Sequence, residues 1–121
     1  MDKRKALIVD DSSLARMMVR KFFSESFKDW DLLEAKDGDD ALALVEGQTL
    51  HLALIDFNMP GMNGIDLSEK LLEKHPDLSI HLVTANIQER MQLRAESIGI
   101  GFIKKPINQE KIVAAMQGLK G

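Results

Sequence analysis

The chain has 121 residues, of which 45% are hydrophobic and 29% charged, and its net charge is −3 at pH 7. These values describe one globular domain with a real core, and they give no electrostatic basis for binding nucleic acid. Cysteine is absent, which excludes disulfides, thiolate metal sites and thiol nucleophiles. Every apolar run is far shorter than a membrane span or a signal-peptide core, so we expect no membrane insertion and a cytoplasmic location.

Short apolar bursts alternate with segments of helical periodicity along the chain. The first burst, residues 6–9, predicts a strand, and the polar residues after it are good helix caps. The apolar residues of the following helix recur at helical spacing: Leu14, Met18 and Phe22. A second, weaker strand near residues 30–33 leads through a turn to a short helix that stops near Gly47.

The third and fourth units repeat this alternation. Residues 52–55 form an apolar burst that ends at Asp56, and a loop with proline and glycine follows. The next helix ends before Pro76, and a fourth strand, residues 80–83, ends at Thr84.

Two more helices are predicted in the last third of the chain. Asn86 is expected to cap the first of them and Gly99 to end it. Its apolar residues lie in one line: Ile87, Met91, Ala95 and Ile98. A short fifth strand at residues 102–103 precedes the second helix, which Asn108 is expected to cap. The core face of that last helix consists of Ile112, Met116 and Leu119.

Five strand–helix units in succession predict a parallel sheet with helices on both faces. Right-handed crossovers leave few topologies, and the natural one for five units of this size is a flavodoxin-like, doubly wound α/β sheet in strand order 2-1-3-4-5. No internal repeat or linker divides residues 1–121, so we expect a single domain.

Polar residues follow four of the five predicted strands. Asp10 and Asp11 follow the first, Asp56 the third, Thr84 the fourth and Lys105 the fifth. Because the carboxyl ends of parallel strands lie on one edge of a sheet, these residues are expected to converge on one cleft. Each residue alone has an ordinary interpretation as a helix start, a turn former or a solvated charge. Their combination favours a functional site.

Three carboxylates in one cleft repel one another, and a divalent cation relieves that repulsion. Mg²⁺, or Mn²⁺ in its place, takes oxygen ligands, which Asp11 and Asp56 supply directly and Asp10 through a water. The backbone carbonyl of Asn58 is a further candidate ligand. The absence of cysteine and of clustered histidine argues against zinc.

Two further residues at this edge are donors suited to phosphate oxygens. Lys105 supplies a mobile positive charge, and Thr84 supplies a hydroxyl. A metal site, a carboxylate, an ammonium and a hydroxyl together indicate phosphoryl transfer, with Asp56 as the nucleophile that forms an aspartyl phosphate.

With these motifs the chain resembles a response-regulator receiver domain, close to the single-domain chemotaxis type, over essentially its whole length. Four segments carry the resemblance: Ile8-Val9-Asp10-Asp11, Asp56-Phe57-Asn58-Met59-Pro60-Gly61-Met62-Asn63-Gly64, Thr84-Ala85 and Phe102-Ile103-Lys104-Lys105-Pro106. The resemblance implies that a histidine kinase or a histidine phosphotransfer protein phosphorylates Asp56 with Mg²⁺. It also implies that Asp10 and Asp11 form the metal site, and that Thr84 and Lys105 sense the phosphoryl group.

The resemblance assigns roles around the fifth strand. Lys105, which immediately precedes Pro106, is implied to be the family lysine in preference to Lys104, and the Lys105–Pro106 bond is implied to be cis. Phe102, three residues before Lys105, is implied to be the switch aromatic, although it lacks the hydroxyl of the tyrosine that is often found there.

Two implied positions tune the loss of the phosphoryl group, Asn58 and Asn86. Because both side chains are small amides that leave the approach of water open, we expect a phosphorylated lifetime of seconds to minutes. The read-out surface is implied to be the fourth helix, fifth strand and last helix. Leu93 on that surface is expected either to contact a partner protein or to belong to the peripheral core.

Such a domain is a signalling switch and not an enzyme in the usual sense, although it promotes its own phosphorylation and dephosphorylation. Four alternatives remain open at this point. A dehalogenase-type hydrolase needs a second aspartate where Asn58 stands, and a flavin binder needs a phosphate loop where Asp10 and Asp11 stand. The other two are a binding module that does not use its phosphorylation site, and the receiver portion of a larger regulator.

Overall fold

The structure, a computed structural model, describes residues 3–118. Leu119, predicted to lie on the core face of the last helix, is outside the described residues. The elements alternate as β1 Arg4–Val9, α1 Ser13–Ser26, β2 Trp30–Ala35, α2 Gly38–Leu44, β3 Leu52–Asp56, α3 Gly64–Lys74, β4 Ser79–Thr84, α4 Glu89–Ile98, β5 Gly101–Lys104 and α5 Gln109–Gln117.

The five strands form one parallel sheet in the order β2-β1-β3-β4-β5. This arrangement confirms the predicted flavodoxin-like, doubly wound α/β fold. Among the described helices, none is both long enough and apolar enough to cross a membrane.

The core lies on both faces of the sheet because successive side chains of a strand point to opposite faces. One cluster packs against α2, α3 and α4 and includes Leu7, Val9, Ala53, Ile55, Leu71, Leu82, Met91 and Ala95. The other packs against α1 and α5 and includes Ala6, Ile8, Val19, Phe23, Leu52, Leu54, Val83, Ile103 and Ile112. The central strand β3 is buried at every residue, so it is covered on both sides.

The predicted apolar face of α1 is wrong in part. Leu14 and Met18 are 61% and 47% exposed, whereas Val19 and Phe23 of the same helix are buried. Phe22 is half-buried and packs beside the second cluster. Because α1 carries apolar residues on more than one side, spacing alone permits two stripes, and contact with the sheet selects the other one.

The predicted start of α4 is also wrong. Asn86 does not cap this helix, since the N-cap position is Gln88 and the helix begins at Glu89. The backbone N–H of Asn86 instead donates to Oγ1 of Thr84 at 3.3 Å, which draws the chain into a turn directly after β4. Ile87 therefore precedes the helix and is exposed.

The other predicted helix ends are confirmed. Gly99 ends α4 with a φ of 78°, a conformation that glycine adopts without strain. Asn108 caps α5, and its Oδ1 accepts a hydrogen bond from the backbone N–H of Lys111 at 2.8 Å.

His81 on β4 gives the fold a pH dependence that can be measured. It lies beside Gly101, where a Cβ would come within 2.9 Å of Nδ1 of His81. Burial lowers the pKa of His81 below its ordinary value of 6.5. In the unfolded chain His81 takes up a proton at a higher pH than in the folded chain. The contribution of neutral His81 to the free energy of unfolding is therefore complete above the pKa of His81 in the unfolded chain. It is lost as the pH falls through the pKa of His81 in the folded chain.

We expect His81→Gln to lose part of the fall in unfolding free energy that the parent protein shows between about pH 8 and about pH 5.5. Urea denaturation of both proteins across this range is the measurement. An identical pH dependence in the two proteins would contradict the assignment to His81.

Candidate functional site

An acidic cluster forms where β1 and β3 end side by side. Val9 pairs with Ile55 in the sheet, so the residues that follow these two positions share one edge. Asp10, Asp11 and Asp56 each place a carboxylate oxygen within 4.8 Å of the others. Asp10 and Asp56 are only 2% and 3% exposed, whereas Asp11 is exposed. The structure thus brings together the three carboxylates that the strand count predicted.

The electrostatics of this cluster are visible at Asp10. Burial raises the pKa of the Asp10 carboxyl, and the negative charges of Asp56 and Asp11 raise it further. The backbone N–H of Ser12, which donates to Oδ1 of Asp10 at 2.9 Å, and the charge of Lys105 act in the opposite direction. The net shift of the Asp10 pKa is upward, and its largest cause is burial, which disfavours the charged carboxylate.

Lys105 reaches the cluster from the end of β5. Its Nζ lies 3.1 Å from Oδ1 of Asp56. That oxygen is buried and has no well-directed hydrogen bond within residues 3–118, so the contact is an ion pair without the geometry of a hydrogen bond. The Lys105–Pro106 bond is cis, as the resemblance implied. The structure therefore places Lys105 at Asp56.

The oxygen atoms of the cluster fit a hard divalent cation. The group contains carboxylates only, which suits Mg²⁺ or Mn²⁺ better than zinc. Oδ1 of Asp56 is also a buried oxygen that accepts no hydrogen bond within residues 3–118, and such an oxygen can serve as a metal ligand. The role of the Asn58 carbonyl as a further ligand stays a prediction.

Thr84 lies buried at the end of β4, on the same edge, but it is bonded elsewhere. Its hydroxyl donates to the carbonyl oxygen of Asn86 at 3.1 Å and accepts from the N–H of Asn86 at 3.3 Å. In the part of the chain that the structure describes, Thr84 makes no hydrogen bond to Asp56.

The remaining predicted residues surround the cluster without joining it. Phe102 on β5 is half-buried against the core cluster that contacts α4. Asn58 and Asn86 are exposed in the loops after β3 and β4. Leu93 on α4 is 60% exposed, so the expectation of a peripheral core leucine is wrong. The functional roles of these four residues stay predictions.

Arg16 contributes to this site in a way that the sequence pattern did not indicate. Nη1 of Arg16 donates to the backbone carbonyl of Asp10 at 2.5 Å, and its Nε lies 3.7 Å from Oε1 of Glu34. Arg16 therefore ties the end of β1 to β2 and holds the backbone that carries the acidic pair. Nothing in the sequence marks the Asp10 carbonyl as the group that Arg16 reaches.

Gly64 has a role in the structure beyond the loop that the sequence predicted. A Cβ at Gly64 would lie 2.8 Å from the backbone oxygen of Asp56 and 3.0 Å from Cα of Phe57. Because glycine has no side chain, the start of α3 can pack directly against the backbone of Asp56 and Phe57.

Comparison with known proteins gives the family. Residues 6–117 match the response regulator receiver domain. Over 121 aligned residues the chain is 30% identical to the chemotaxis protein CheY homolog of Campylobacter jejuni, and the alignment covers 97% of this chain and 92% of that protein. Over 115 residues it is 31% identical to the glycerol metabolism activator of Pseudomonas putida, and this alignment covers 93% of this chain and 52% of that protein.

The chain spans half the length, or less, of several other curated relatives. Among solved structures, the chemotaxis protein CheY4 of Vibrio cholerae superposes with a TM-score of 0.88 at 25% identity, covering 98% of this chain and 99% of that one. The match of the family profile to nearly the whole chain, together with the acidic edge of the sheet, shows that this chain belongs to the response regulator receiver family.

Proposed function

We propose that the protein is a phosphorylation-activated signalling switch of a two-component system. Its receiver domain accepts a phosphoryl group on Asp56 from a histidine kinase or a histidine phosphotransfer protein. The observation that carries the proposal is the buried Asp56 carboxylate. Its Oδ1 lies 3.1 Å from Nζ of Lys105 and has no hydrogen-bond partner in the described residues. Receiver domains are normally signalling modules rather than classical enzymes, and the family match argues against the dehalogenase-type enzyme and the flavin binder.

The chain's own residues supply the nucleophile, a positive charge and the ligands for a cation. A carboxylate oxygen of Asp56 attacks the phosphorus of the donor phosphohistidine, and the P–N bond breaks with its electron pair on the leaving imidazole. Lys105 meets the negative charge on the transferred oxygens, while Asp10 and Asp11 would hold Mg²⁺ or Mn²⁺. Bound there, the cation supplies positive charge that offsets the charge of the carboxylates and the phosphoryl group.

Phosphorylation then provides the free energy for a conformational change. Each charge-assisted hydrogen bond to the new group is worth about 1.5–3 kcal/mol. Moving an equilibrium from about 1:99 to about 99:1 needs roughly 5.5 kcal/mol, so Lys105 and Thr84 together supply nearly enough. To take part, Thr84 has to release the carbonyl of Asn86, 3.1 Å away, and this carries the β4–α4 loop with it.

The read-out surface in this proposal is the face formed by α4, β5 and α5. Phe102, half-buried at rest, moves inward when the loop shifts, and the exposed Leu93 is available to a partner protein. The partner is a separate protein or a further domain of a longer regulator, since relatives of both lengths match the chain. A role in chemotaxis is a proposal that depends on the two CheY-type relatives.

Incubation with acetyl phosphate and Mg²⁺ is expected to add one phosphoryl group per chain, because one carboxylate is held in the attacking position. Intact-protein mass spectrometry measures the adduct. The adduct should be absent in Asp56→Asn and present in Asp77→Asn, which changes an exposed carboxylate between α3 and β4. An unmodified parent protein with every donor and kinase would favour a binding module that works without phosphorylation.

The phosphorylated protein should lose its phosphoryl group within seconds to minutes. Asn58 and Asn86 are both small and exposed, so they leave the line of attack of water on the phosphorus open. Loss of radiolabelled phosphate from purified protein measures the lifetime, and Asn86→Tyr should lengthen it by shielding the group. A lifetime of many hours for the parent protein with Mg²⁺ present would overturn the tuning roles of these residues.

A further inference from the structure

We propose that Lys111 on α5 is a positioning residue for Lys105; the inference rests on the proposed function and deepens it. Nζ of Lys111 donates to the carbonyl oxygen of Lys104 at 2.7 Å and to that of Pro106 at 2.9 Å. These two carbonyls flank Lys105 on either side. One ammonium group therefore donates hydrogen bonds to the backbone on both sides of the lysine that contacts Asp56.

The segment around Lys105 is also attached to the sheet and to the core, since Lys104 pairs with Thr84 and Ile103 and Ile107 pack against the second cluster. On the β4 side, the backbone N–H of Lys105 donates to the carbonyl of Thr84 at 2.8 Å. Lys104 and Pro106 are themselves exposed, so core packing does little to fix the chain at these two positions. The hydrogen bonds from Lys111 attach the segment around Lys105 to α5, and α5 is itself held in the core by the buried Ile112.

The side chain of Lys111 acts separately from its backbone. The backbone N–H donates to Oδ1 of Asn108 and completes the cap of α5 at 2.8 Å. A substitution of the side chain leaves that cap in place, so loss of the ammonium changes the grip on the loop without removing the start of the helix.

The ammonium is suited to this task because it carries three donors and a full charge. Two of those donors are used on main-chain carbonyls, and bonds from a charged donor are stronger than neutral ones. Within residues 3–118, Lys111 forms no ion pair with a carboxylate, so the hydrogen-bond partners of Nζ there are these two main-chain carbonyls.

The position of Lys105 matters most during phosphoryl transfer. With acetyl phosphate, an oxygen of Asp56 attacks phosphorus, and the bond from phosphorus to the acetyl oxygen breaks as acetate leaves. Lys105 has to meet the charge on the transferred oxygens at that moment, and a donor that must first be ordered contributes less than a preorganised one. Through the same hydrogen bonds from Lys111, a movement of Lys105 would also move α5.

The test compares the rate of phosphorylation by acetyl phosphate with Mg²⁺ in four proteins: the parent, Lys111→Met, Lys111→Arg and Lys70→Met. We expect Lys111→Met to be slower by about five- to fiftyfold, since small misplacements of a charged donor cost up to about a hundredfold. Lys111→Arg should recover most of the rate, because arginine can also donate to two carbonyls. Lys70→Met, a matched change at an exposed lysine on α3, should leave the rate unchanged.

A double-variant cycle separates positioning from general stability. In a Lys105→Met background, Lys111→Met should cause no further loss, because the group that it positions is gone. The same fold-loss in both backgrounds, or an unchanged rate in Lys111→Met alone, would overturn the inference while leaving the proposed function intact. Urea denaturation of each variant verifies that it is folded.

A parent protein that takes up no phosphoryl group from acetyl phosphate or from any kinase would refute the proposed function, and the inference is then decided by hydrogen exchange. The backbone N–H of Lys105, bonded to Thr84, should exchange several-fold faster in Lys111→Met than in the parent and Lys111→Arg. Equal exchange in all three proteins would overturn the positioning role.

Discussion

A carboxylate held at the buried end of a fully buried strand is the constraint on which the rest of the site depends. Asp56 is 3% exposed and follows four residues of β3 that have no exposure at all. A charge in that position is costly unless positive groups compensate it. Lys105 is one such group, but Asp10 and Asp11 add charge of the same sign within 4.8 Å. The cluster is therefore poised to take up a cation.

The same imbalance explains how a small covalent change can reach the surface. An added phosphoryl group brings more negative charge to an edge where two donors are held by other contacts. Lys105 is fixed through the loop that Lys111 grips, and the Thr84 hydroxyl is bonded to Asn86. In the proposed switch, Lys105 turns from Asp56, 3.1 Å away, to the added group, and Thr84 leaves Asn86 to reach it. These movements involve the β5–α5 and the β4–α4 connections, which border the proposed read-out face.

The sequence was most informative where burial and topology decide the structure. Uniformly apolar strands and their alternation with helices predicted the sheet order, which in turn predicted that Asp10, Asp11 and Asp56 meet on one edge. It was misleading at α1, where Leu14 is exposed because apolar residues on two sides of the helix compete for the core. It was misleading again at Asn86. The backbone N–H of Asn86 donates a hydrogen bond to the Thr84 hydroxyl, and α4 begins only after Gln88.

The supporting residues could not be predicted for a different reason. Arg16 and Lys111 act on the backbone carbonyls of Asp10, Lys104 and Pro106. A carbonyl is present at every residue, so nothing in a sequence marks which one a long side chain will reach. Such contacts become visible only when the helices are docked on the sheet.

Reductive trapping of the phosphorylated protein tests the central claim most directly. After reaction with acetyl phosphate and Mg²⁺, borohydride supplies two hydrides that reduce an acyl phosphate to an alcohol and release phosphate. An aspartyl phosphate is thereby converted to homoserine, which peptide mass spectrometry locates. We expect homoserine at position 56 alone. Homoserine in place of Asp10 or Asp11, or a phosphoryl group that survives reduction on a serine, threonine or histidine, would contradict the assignment of Asp56 as the phosphoacceptor.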